Sequence, residues 1–154
     1  METDTEKQPD PKPFDLDDLN ALDEARMTVM SGDKATDWIW TFGGPGHPHT
    51  IAQRERIARE QLQRQRAIEM AQVNGKKWKG DEARSPADLR ESNIKYILER
   101  LIGWSPIMMS GSPYPFTHEN ARTILLDPRK AGLYQQALDF VMDENSFTPR
   151  SAKN

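Results

Sequence analysis

The residue types able to do chemistry are few, and they crowd into one stretch, Gly43-Gly44-Pro45-Gly46-His47-Pro48-His49. Two imidazoles one residue apart could supply half of a tetrahedral metal site. The only other histidine is His118, and no carboxylate cluster stands near in sequence. A rigid loop with solvated imidazoles is the simpler reading, and no metal is expected. Glycines ahead of a helical stretch can also cradle a phosphate with backbone N–H groups. Here no Gly-Lys-Ser/Thr follows, and the spacing fits neither the mononucleotide nor the dinucleotide fingerprint. No serine, histidine and acid form a nucleophile motif, and no carboxylate pair has a spacing that suggests hydrolysis. Glu91 and Glu99 stand among bases on a helix and read as solvated charge. The chain has no Cys, which removes thiolate and disulfide chemistry and suits a reducing compartment. No catalytic residue and no cofactor are therefore expected, and the chain reads as a non-enzyme.

What remains is surface. Arg54, Arg56, Arg59, Arg64 and Arg66, then Lys76, Lys77 and Lys79 around Trp78, make a basic strip. Such a strip can meet a phosphate backbone. Three acids interleave with it, the net charge is −3, and no groove-reading module is present. Nucleic-acid binding therefore ranks third among the readings, behind solvated helix charge and protein contacts. The charge is unevenly spread: Met1 to Glu24 holds nine acids against two lysines, while Ile51 to Gly80 holds eight bases against three acids. The acidic start lacks a signal peptide's pattern, and no apolar run approaches the roughly 18 residues of a membrane span. No membrane partner is expected.

The elements that must position these residues follow from periodicity. Residues 1–24 read as an acidic, largely disordered arm, because prolines and charge cannot offset the entropy of ordering. Phe14, Leu16, Leu19 and Leu22 punctuate that arm and suit a short amphipathic helix or a docking segment. Residues 25–42 read as a β-hairpin, with Trp38, Trp40 and Phe42 on one face. Thr50 is placed as the N-cap of a long helix reaching about Val73, ended by Asn74-Gly75. Ser85-Pro86 opens a central helix carrying Ile94, Ile97, Leu98, Leu101 and Ile102 on one face, stopped by Gly103. Ser110 to Pro113 forms a turn, Thr117 caps a short helix through Leu126, and a last helix runs from about Arg129 to Met142. Phe147 tucks onto the core, and residues 148–154 fray. The fold class is thus mainly α: about four helices in one domain, 25–147, with an N-terminal hairpin. Trp38, Trp40, Trp104, Phe116 and Phe140 are assigned to the core rather than to a partner groove.

Four features follow in order from Trp38 to Phe147: WTFGGPGHPHTIAQRERIARE with its Gln/Arg-rich helix, RLIGWSPI, PYPFTHENARTILLDP, and a last helix ending in NSF. This order resembles a family of tailed-bacteriophage tail assembly chaperones and minor tail proteins. The acidic leader lies outside the resemblance. The resemblance implies a non-enzymatic morphogenesis factor that binds the tape-measure protein and recruits tail-tube subunits, with self-association left open. It implies work in the host cytoplasm during phage assembly. The alternative is a structural virion protein of the tail or head–tail junction, kept in the mature particle. Partner contacts are assigned to Phe14, Leu16, Leu19 and Leu22 in the leader and to Ile51, Arg54, Ile57, Arg59, Leu62 and Arg66 on the long helix.

Overall fold

The computed structural model describes residues 12–78 and 85–149. It is a helix-rich mixed α/β fold rather than a mainly α one, and the difference lies in its strands. Strand β1 (Glu24–Ser31) and strand β2 (Lys34–Gly43) form the expected hairpin, longer at both ends than its polar linker suggested. They meet at a tight turn in which Gly32 takes φ +65, a backbone that suits glycine. Along β1 the residues alternate outward and inward, burying Ala25, Met27 and Val29. Helix α1 (Pro48–Val73) and helix α2 (Pro86–Arg100) follow.

The central correction comes at the end of α2. Leu101 and Ile102 continue its apolar spacing, yet the helix stops at Arg100, and Leu101–Trp104 is a third strand, β3, paired antiparallel with β2. Without β3, the edge of β2 away from β1 would lack a partner for its backbone groups. Pairing Trp40 with Trp104 and Phe42 with Leu101 supplies one. Gly103 weakens helix continuation at the same place. Tertiary pairing outweighs local periodicity here.

The Ser110–Pro113 turn is also more than a turn. Met108–Met109 (β4) and Ser112–Pro113 (β5) pair across it, with Ser110 and Gly111 both at positive φ. Helix α3 is His118–Leu126, capped by Thr117 as expected, and helix α4 is Ala131–Met142. The α4 start is displaced from Arg129 because Pro128–Lys130 forms a separate 3-10 turn capped by Asp127. In the leader, Leu16–Leu19 is a 3-10 turn with no buried residue, not an α-helix. Residues 1–11, 79–84 and 150–154 lie outside the described residues, so the disorder expected of 1–11 and the fraying expected of 150–154 fall outside them too.

One core gathers Trp40, Phe42, Ile94, Ile97, Leu101, Ala121, Leu125 and Ala137, all wholly buried, with Phe147 against them. Each large aliphatic side chain there contributes roughly 1.5–3 kcal/mol of burial free energy. Trp38, Trp104, Phe116 and Phe140 pack on its margin, partly buried. Trp38 meets Trp40 and Trp104 edge-on at 5.3 Å, and Trp104 stacks on Tyr114 at 6.1 Å. Among the described residues, the indole N–H groups of Trp38 and Trp40 have no oxygen or nitrogen acceptor. Both indoles pack within the aromatic cluster, at ring-centroid distances of 5.3–6.2 Å.

Candidate functional site

The Gly-Pro stretch is built for sterics. A Cβ on Gly44 would lie 1.8 Å from the Leu22 carbonyl oxygen, and one on Gly43 would lie 2.9 Å from the His47 ring. Gly44 N–H donates to Asp23 O at 2.8 Å, so the leader is laced to the start of α1. The two glycines allow that approach. Helix α1 begins at Pro48, three residues before the expected start, with His47 as N-cap: its Nδ1 accepts from His49 N–H at 3.1 Å. Thr50 is instead buried in the first turn and donates to Gly43 O at 3.2 Å. Among the described residues, no group of three or more His, Asp or Glu side chains lies together as a metal site would require.

Helix α1 crosses α2 through a polar seam. Gln53, buried, donates through Nε2 to Tyr96 O at 3.0 Å and to Glu99 at 3.2 Å. Arg56 donates through Nε to Glu99 at 2.8 Å and through Nη1 to Glu60 at 2.7 Å. The bond to Glu99 raises the Arg56 pKa above its ordinary value; burial opposes this, and Glu60 reinforces it. Glu99 therefore departs from its reading as solvated charge. It is half-buried and ties two helices together. Glu91 is exposed but bonded, accepting from Arg122 of α3 at 2.8 Å.

On one side of this seam a cleft of about 790 Å³ opens between α1, α2 and the first turn of α3. His49, Arg56 and Arg59 line it from α1, Glu91, Lys95 and Glu99 from α2, and His118 and Arg122 from α3. Its acids are already engaged, Glu99 by Arg56 and Glu91 by Arg122. Arg59 on α1 and Lys95 on α2 both line the cleft, with no hydrogen bond or ion pair among the described residues. The cleft is thus a surface with two uncommitted cations. On the far side lies a second cleft of about 670 Å³, lined by Ile57, Arg64, Trp78, Tyr96 and Met142 among others.

The sequence-predicted contact residues divide among these places. Phe14, Leu16 and Leu19 are 67%, 73% and 69% exposed. Leu22 is half-buried, and its N–H donates to Phe147 O at 2.7 Å, which anchors the leader. Ile51, Arg54, Leu62 and Arg66 face solvent. Ile57 turns the other way and lines the second cleft, while Arg59 lines the first. The eleven-residue spacing from Ile51 to Leu62 to Val73 is close to three helical turns. These three therefore line the side of α1 opposite the buried Thr50 and Gln53. Lys95, Arg122 and the Gln53–Glu99 link escaped sequence reasoning. Arg122 and the Gln53–Glu99 link depend on partners 31 or more residues away, and Lys95 joins the cleft only through the packing of α2 on α1. Compared with known proteins, the chain matches no family model, no curated protein and no solved structure.

Proposed function

We propose that the chain is a non-enzymatic assembly factor of the phage-tail type, which binds the tape-measure protein and recruits tail-tube subunits around it. The supporting observation is the exposure of large apolar side chains on two separate polar surfaces: Phe14, Leu16 and Leu19 in the leader, and Ile51, Leu62 and Val73 along the outer side of α1. Apolar residues presented in this way, at helical spacing and ringed by charge, suit contacts that cover an apolar stretch of a partner helix. Such contacts would shield a tape-measure protein from aggregation until tube subunits replace them. The identity of the partners rests on the resemblance of the Trp38–Phe147 segment alone.

Pull-down with tape-measure fragments tests this reading. The full chain is expected to retain them, and a variant carrying Leu16→Ala, Leu19→Ala, Ile51→Ala and Leu62→Ala is expected to lose them while melting at the same temperature. Unchanged retention would rule out these contact surfaces. Mass spectrometry of purified virions then separates a transient factor, absent from the particle, from a structural protein present in regular copy number.

A further inference from the structure

Two features of this molecule complement one another without meeting in the single chain. The first is the leader turn, residues 14–19, reading FDLDDL. It holds three large apolar side chains in solvent beside three carboxylates. Asp15 is used locally, accepting from Asp17 N–H at 3.0 Å to cap the turn. The side chains of Asp17 and Asp18 have no partner among the described residues. The second is the α1–α2–α3 cleft. Arg59 and Lys95 are its only Arg or Lys side chains left uncommitted among the described residues, one on α1 and one on α2. Ala52 and Leu98 add apolar surface, extended by the aliphatic stems of the two cations.

We propose that the Phe14–Leu19 turn of one molecule docks into the α1–α2–α3 cleft of a second copy of this chain. The apolar side chains cover Ala52, Leu98 and the long stems, while Asp17 and Asp18 approach Arg59 and Lys95. Docking brings together charges that have no partner among the described residues on either side, and such complementarity sets register and encounter rate more than raw affinity. In the single chain two residues, Asn20 and Ala21, join Leu19 to Leu22, which is held at Phe147. The contact joins two different surfaces, so it closes into a pair if the exchange is reciprocal and otherwise grows into rings or chains. This inference needs only another copy of the chain; it draws on the same leader side chains as the tail-assembly reading, but Arg59→Glu with Lys95→Glu tests it alone.

Sedimentation velocity of the full chain over a wide concentration range, at low and high salt, is the test. Association that rises with concentration and weakens with salt is expected. Leu16→Ala with Leu19→Ala should weaken it by roughly tenfold or more. Arg59→Glu with Lys95→Glu should do the same, although it touches the other surface. All four positions are exposed, so thermal melts should match the parent chain. A chain with Asp17→Lys and Asp18→Lys, mixed with the Arg59→Glu, Lys95→Glu chain, should recover association that neither forms alone. The proposal fails if the full chain is monomeric at every concentration. It also fails if association survives either pair of substitutions, or if the charge-swapped mixture does not associate.

Discussion

Arg100 is the residue on which the body of the molecule turns. It is 5% exposed, and no carboxylate faces it among the described residues. Its guanidinium donates to Gly43 O through Nε and Nη2 and to Val141 O through Nη1, and it lies 4.6 Å from the centre of the Phe147 ring. One side chain thus joins the end of β2, the last turn of α4 and the C-terminal turn. A cation at the carbonyl end of α4 also suits that helix's dipole. Arg100→Ala is expected to destabilise the fold by about 2–4 kcal/mol in urea unfolding, because two buried carbonyls lose charged donors. Arg100→Lys should recover only part of this, since an ammonium cannot span the same acceptors. Asp127 supplies a pH prediction. Hydrogen bonds from Arg129 and Lys130, then from the Arg129 backbone N–H, hold its carboxyl well below the usual carboxylate range. At neutral pH it is ionised whether the chain is folded or not. As pH falls through about 4, the unfolded chain takes up the proton and the folded one resists, so stability drops. Acid unfolding of Asp127→Asn should lack this component and show a shallower fall in melting temperature below pH 4.

At the scale of elements, the starts of α2 and α3 and the ends of α1, α3 and α4 were legible, while the starts of α1 and α4 were displaced. Ser85-Pro86 announces α2 with a hydroxyl acceptor and a residue that needs no N–H bond. The structure adds the reciprocal half, Asp88 accepting from Ser85 N–H at 3.1 Å. Ser85→Ala should therefore cost about 1 kcal/mol, measured by thermal unfolding, and most of that loss should persist in an Asp88→Ala background, because the Asp88 N–H that the hydroxyl accepts from belongs to the backbone. Thr117 was legible for the same local reason, as was the pairing of Asn74 with Gly75, whose φ of +69 suits glycine. The end of α2 was not legible. Nothing within four residues of Leu101 tells that β2, 59 residues earlier, needs an edge partner. The candidate site failed in the same way: Arg59 was singled out for its type, but Lys95 and Arg122 become neighbours only when three helices pack. The double glycine was visible and its purpose was not, because the Leu22 carbonyl that demands it comes from a different segment.

Taken whole, the molecule is well ordered around its sheet and thin at one extremity. Helix α1 has 26 residues, about 39 Å at 1.5 Å per residue, yet its only buried residues are Thr50 and Gln53 in its first two turns. The seam through Arg56 and Glu99 holds the next turn, and beyond Leu62 no residue of α1 is buried. A helix of Gln, Arg, Glu and Ala has good intrinsic propensity, but most helical stability in proteins comes from packing one face. The second half of α1 should therefore open far more often than the first. Native-state hydrogen exchange is expected to show amides from Gln65 to Val73 exchanging at least roughly a hundredfold faster than those from Ile94 to Arg100, which sit under the core. Addition of a bound partner protein should slow exchange in that half specifically if the outer side of α1 is where it docks. A uniform protection pattern along α1 in the free chain would mean that something else, a second copy included, already covers its distal half.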